Sequence, residues 1–164
     1  MGWSTRSSST IPAVLAALLD AVARTLPDVQ VCDGMPVGDV ADDIVAIGAT
    51  GRPGEVAVQA SRTGGALTTA PDAESFDVSC VASSWRGAET DFAPVRAGLF
   101  AMLDAIAGEI AKDPTLGGAT GLARMTVTSF FQEQVGVEDD EGTPSGAGAV
   151  ATAIFTVHCD GWTR

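Results

Sequence analysis

The sequence predicts an α+β fold in which a mixed, mainly antiparallel sheet of about four to five strands carries two helices packed on one face. Three observations predict it. Ile11, Val14, Leu15, Leu18, Leu19 and Val22 recur at helical spacing, and so do Phe92, Val95, Leu99, Met102, Leu103, Ile106 and Ile110, giving two separate apolar stripes. Residues 74–85 instead alternate with a period of two, setting Phe76, Val78, Cys80 and Ala82 against Asp77, Ser79, Val81 and Ser83, as a central strand does. The order helix, two strands, loop, strand, helix, two strands then leaves both stripes to one face of the sheet.

The first helix opens at Thr10, a residue able to cap, with Pro12 in a first turn whose amides have no helical partner, and it closes before Pro27. Val29 and Val31 mark a strand within residues 28–32, and a connection through Gly34, Pro36 and Gly38 leads to a second at 44–47. Residues 49–73 are rich in Gly, Thr, Ala and Pro and read as a mobile loop, apart from 55–60, which has the makings of an extra strand or hairpin. A loop of that size in a compact domain suggests contact with a neighbour. The second helix stops at Asp113-Pro114, because the residue before a proline is pushed out of the α region, and Gly117-Gly118 frees the chain to turn back. Residues 122–134 and 147–159 are the last two strands, joined by a loop over 136–146.

The chain of 164 residues is the size of one domain, read as residues 11–164 behind a disordered leader at 1–10. The opening MGWSTRSSST has no apolar run before Ile11, unlike a secretory signal, and the helix after it is too short and too charged, with Asp20 and Arg24, to span a bilayer. A soluble protein without a membrane partner is expected. A net charge of −12, a pI near 4.2 and only nine Lys and Arg argue against a protein that grips phosphates. An acidic surface beside a DNA path would instead repel the backbone and keep the path slippery. Cys32, Cys80 and Cys159 are odd in number and dispersed in apolar runs, which fits small buried hydrophobes and not a disulfide framework.

His158 is the only histidine, so nucleophilic catalysis of the Ser-His-Asp or Cys-His kind would have to use it. It falls out of phase with Phe155, Val157 and Cys159, on the opposite side of its strand from the neighbouring thiol, where a histidine is structural or exposed. The segment GATGRPG at 48–54 lacks the Gly-Lys-Ser/Thr of a phosphate-binding loop. The acids Glu138, Asp139, Asp140 and Glu141 lack the alternating ligand spacing of a calcium loop and read as a solvated hairpin tip. No catalytic, cofactor-binding or metal-ligating residue is assigned, and no enzyme activity is expected.

Arg96 near the start of the second helix, Leu103 within it, and the exit Asp113-Pro114-Thr115-Leu116-Gly117-Gly118 before a strand form a pattern. It resembles the tail-terminator (tail-completion) proteins of long-tailed bacteriophages, particularly those of actinobacterial hosts. The opening helix, DVQVCDG at 28–34, DIVAIG at 43–48 and a final Gly-Ala-rich strand follow the order that family uses, so the resemblance covers most of the chain. It implies a homohexameric ring on the last ring of the tail tube that halts tube polymerisation. The ring would present a surface to the head-completion (stopper) protein and let DNA pass through its lumen without specific binding. It also implies a virion location at the head-tail interface, reached from the host cytoplasm, and no cofactor. The two long loops are then the candidate contacts between subunits: Arg52 and Arg62 in the first, and Glu138, Asp139, Asp140 and Glu141 in the second. Two other readings stay open. One is an adjoining neck protein, a head-tail adaptor or stopper; the other is a bacterial α+β ligand-binding or enzyme subunit with its site among the loops. A gene placed immediately before a major tail-tube gene favours the terminator, and a metabolic operon favours the last reading.

Overall fold

A computed structural model describes residues 9–64, 71–87, 91–138, 141–142 and 144–163. The elements run α1 (Ile11–Thr25), β1 (Gln30–Asp33), β2 (Asp43–Ile47), β3 (Val58–Thr63), β4 (Ala73–Arg86), α2 (Ala93–Lys112), β5 (Leu122–Glu138) and β6 (Pro144–Trp162). All six strands join one sheet in the order β1-β2-β4-β6-β5, with β3 beside the first half of β4 and β2 beside the second. β1 and β2 run parallel, and the remaining pairings are antiparallel. This is the α+β class the sequence predicts, with six strands where about four to five were expected. The additional strand is β3, which begins within the 55–60 stretch that could form an extra strand or hairpin and runs on to Thr63. Its side chains are exposed from Gln59 to Thr63, so no buried face imposes a period on its sequence.

Both helices pack on one sheet face. Phe76, Val78, Cys80 and Ala82 of β4 and Ala151, Ala153, Phe155 and Val157 of β6 point there, under Val14, Leu18 and Val22 of α1 and the buried stripe Val95 to Ile110 of α2. Burying each larger aliphatic side chain stabilises the fold by about 1.5–3 kcal/mol, so these stripes hold the helices more than local propensity does. Thr10 occupies the N-cap position of α1 but does not cap it. Its amide and hydroxyl both donate to the Glu74 carboxylate, at 2.7 and 2.8 Å. Ser9 accepts the Ile11 amide at 3.2 Å, so the last two residues of the expected leader are tied to the fold, while 1–8 lie outside the described residues.

The exit from α2 follows from one carboxylate. Asp113 accepts the Thr115 amide and hydroxyl at 3.0 and 2.6 Å and the Gly117 amide at 2.7 Å, wrapping the chain around itself. Leu116, Gly117 and Gly118 take positive φ of 50°, 70° and 83° in succession. Glycine does this freely; Leu116 does it because its side chain is buried against the core.

Among the described residues, the other face of the sheet carries no helix. A small second core, Ala46, Ala49 and Val81 with Ile154 beside them, forms where the 48–57 loop folds over it. This buries Val81, which the alternation had put on the polar side. The last hairpin also departs from expectation, because β5 and β6 extend to Glu138 and Pro144 and take up most of the predicted 136–146 loop. The β5–β6 ladder skips a residue at Thr128: Val127 pairs with Phe155 and Ser129 with Ile154. Cys80 and Cys159 are buried as expected, and burial pushes both thiols up to about 12, whereas Cys32 is only half-buried. No helix among the described residues is long and apolar enough to cross a membrane.

Candidate assembly interface

β5 forms one margin of the sheet, with β6 on its inner side and no strand among the described residues on its outer side. Beyond Arg86 of β4, residues 135–138 of β5 and 144–148 of β6 pair only with each other and project as an arm. Along the strand Val127, Phe130, Phe131 and Val135 are 38–44% exposed. Phe130 pairs with Ala153 and so faces the helix layer, where its ring meets Phe100 of α2 at 5.4 Å between centroids. Phe131 pairs with Thr152 and faces the opposite way. β-branched and aromatic residues favour a strand here, and α2 touches only its helix-side face while these side chains stay part-exposed on both faces.

At the opposite margin, Met35, Val37, Val40 and Val56 are exposed in the loops that flank β2. The 48–57 loop is held by Ala49 N–H to Ser79 O at 2.9 Å and Ser79 N–H to Ala57 O at 2.8 Å, which splice it between β2 and β3. The Thr50 hydroxyl accepts the Arg52 amide at 3.2 Å and tightens its turn. Met35 and this loop line an open depression of about 460 Å³ whose wall includes Ala49, Pro53 and Ala57.

The residues singled out by sequence are placed unequally. Arg52 lies in the loop beside the hollow, exposed, with Glu55 at 3.5 Å. Arg62 is not in a loop but in β3, and its Nε donates to Glu74 at 3.0 Å. Glu138 ends β5, paired with Pro144, and Glu141 is exposed in the turn beyond it. Asp139 and Asp140 lie outside the described residues. Arg52 and the acidic turn therefore belong to opposite margins of the sheet and are not brought together. Arg96, from the pattern at the start of α2, donates to Gln132 of β5 at 3.1 Å and ties the helix to the root of the arm. No protein-family model matches the chain, and no curated protein does.

Two polar clusters escaped the sequence reading. On the helix-free face, His158 Nδ1 lies 2.7 Å from Asp77, while Nε2 lies 3.2 Å from Asp160 and 3.4 Å from the Ser75 hydroxyl. Arg124 reaches Asp160 at 3.3 Å. The Asp77 hydrogen bond, then the nearby carboxylate charges, hold the His158 pKa above its usual value. Held by carboxylates on both nitrogens, the ring links β4 to β6 and, through Asp160 and Arg124, to β5. Its signal was available: Ser75 and Asp77, and His158 and Asp160, each stand two residues apart and share the phase opposite the core. The second cluster is Glu74, whose side chain is 1% exposed. Burial alone would raise its carboxyl, but the Thr10 donors, with Ser9 and Arg62, hold it below the usual range. A further fork, Arg86 Nη1 and Nη2 to Asp43 at 2.9 Å each, joins β4 to β2 with the Ser84 hydroxyl at 2.6 Å.

Proposed function

We propose that this chain is a ring-forming subunit that caps a phage tail tube, the tail-terminator role its sequence resembles. The observation that carries the reading is the β5 margin of the sheet, together with the arm that extends it. A margin strand with open hydrogen-bonding groups and large apolar side chains on both faces needs a cover, and a ring of identical subunits gives one to every copy. The charge supports the same reading, because a passage lined by subunits of net charge −12 repels phosphates and leaves DNA free to slide. In this role the partners are other copies of the chain, the tail tube protein below and the head-completion protein above, and no cofactor is required.

The test is a lysate lacking this protein. Heads and tube subunits should be made normally while tubes run past their set length, since nothing occupies the growing end. Purified protein added back should restore joining and saturate at one ring per tail. Tails of normal length that fail to attach to heads would move the protein to the head side of the neck.

A further inference from the structure

We infer that the free chain pairs with a second copy edge to edge, β5 against β5 in antiparallel register about a two-fold axis at Ser129, joining two six-stranded sheets into one. A two-fold contact closes on itself, so this goes beyond the ring reading and does not rest on it. A ring would draw on the same margin only after the pair parts.

Backbone direction is the first argument. The Ala123 amide points away from β6, to Pro114 O at 2.6 Å, so the residues in phase with it, Met125, Val127, Phe130 and Gln132, turn their peptide groups outward. Thr128 is the residue the ladder skips, drawn inward by its hydroxyl bond to Ile154 O at 3.1 Å. With Thr128 left out, the strand is symmetric about Ser129. Val127 then stands opposite Phe130 of the second copy, Thr126 opposite Phe131, Met125 opposite Gln132 and Arg124 opposite Glu133. Each pair shares a face: Val127 and Phe130 side with the helices, while Thr126, Phe131, Arg124 and Glu133 side with the open face. Pro114 already fills the place beside Ala123, so the ladder runs from Arg124 to Glu133 and the arm beyond takes no part.

Side-chain chemistry selects the occupant and the register. Val127, Phe130 and Phe131 are left 40–44% exposed, and Phe100 of α2, 5.4 Å from Phe130, is exposed beside them. The two-fold gathers Val127, Phe130 and Phe100 of both copies into one apolar cluster on the helix side. In a chain of net charge −12, residues 122–135 carry one cation, Arg124, and one anion, Glu133, and the register sets them against each other twice. Arg124 meets Asp160 at 3.3 Å and, 64% exposed, retains donors for a second carboxylate. A slip of one residue would set helix-side against open-side side chains, and a slip of two would set Arg124 opposite Phe131 or Val135.

Sedimentation velocity of the free chain should show a dimer. Arg124→Glu and Glu133→Arg, which set like charges opposite each other, should each weaken it about tenfold or more. Their equimolar mixture should restore it, because every charged pair across the axis is then opposite in sign. Since Arg124 also holds Asp160, a cysteine test checks the register without touching charge. Ser129→Cys faces its own copy and should form a disulfide-linked dimer under mild oxidation. Thr126→Cys, about 13 Å from its own copy in this register, should not, and neither should wild type with its native thiols. A wild type that stays monomeric at its highest soluble concentration, a mixture no tighter than its weaker member, or equal cross-linking at positions 126 and 129 would each overturn the contact. A dimer that obeys the pattern, with tails of normal length in the lysate lacking the protein, would overturn the tail role alone. Overlong tubes in that lysate with a monomeric wild type would overturn the contact alone.

Discussion

The Glu74 carboxylate takes both donors of Thr10, the amide at 2.7 Å and the hydroxyl at 2.8 Å, across 64 residues of sequence. One buried charge thereby fixes where α1 begins relative to β4, and through Arg62 it also holds β3 to the sheet.

Glu74→Ala should cost about 2–3 kcal/mol, because it strands buried donors that water cannot reach. Since the folded carboxyl lies below its ordinary value of 4.5, the stabilisation is full above that pH and is lost as pH falls through the lowered folded value. Urea denaturation of wild type and Glu74→Gln from neutral to acid pH should show this loss in the wild type only.

The His158 clamp should work in the opposite direction. Its folded pKa is raised, so its contribution is complete below the ordinary value of 6.5 and fades as pH climbs from there through the raised folded value. The groups that face it are Asp77 on β4, Asp160 on β6 and, through Asp160, Arg124 on β5. With the ring 39% exposed, the effect is about 1 kcal/mol or less and shrinks with salt. Melting temperatures of wild type and His158→Gln should converge on the alkaline side of that window. Curves that stay parallel across it would deny the clamp its charge.

The three thiols should separate kinetically. Cys32 is half-buried and should react with a thiol reagent in the native protein, whereas Cys80 and Cys159, buried and pushed up to about 12, should wait for unfolding. Equal fast labelling of all three would contradict their placement.

Two substitutions probe α2 and its exit. Leu103→Asp puts an unpaired charge at a position 3% exposed and should destabilise by about 3–5 kcal/mol, visible as a large fall in melting temperature. Gly117→Val, at a φ of 70°, should cost about 1–2 kcal/mol from backbone conformation alone, measured by chemical denaturation.

Legibility in the sequence followed burial. The stripes of α1 and α2 and the alternation of β4 were readable because each has one buried face, and a buried face writes its period into the chain. β3 was legible only as the 55–60 stretch able to form an extra strand or hairpin, because its exposed side chains from Gln59 to Thr63 carry no period, and the added lengths of β5 and β6 are held by backbone pairing that every residue can make. Thr10 was recognisable as a boundary residue, but its bonding depends on Glu74, and contacts at that separation leave no local mark. The Phe130-Phe131 pair that precedes the arm on β5 stands plainly in the sequence. What escaped was the opposing hollow, which is assembled from two loops by the pairing of β1 with β2 and of β4 with its neighbours.

The extra residue in β5 lets the composition of the arm be separated from its aim. Val127 and Ser129 already face consecutive residues of β6, so removing Thr128 would leave every later side chain on its present side and forfeit only the hydroxyl bond to Ile154 at 3.1 Å. A bulge also bends its strand and adds local twist. The deletion should therefore yield an arm of the same chemistry pointing along a straighter course. If copies close around an axis, the angle between neighbours, and with it the bore of the assembly, is tunable at this single residue.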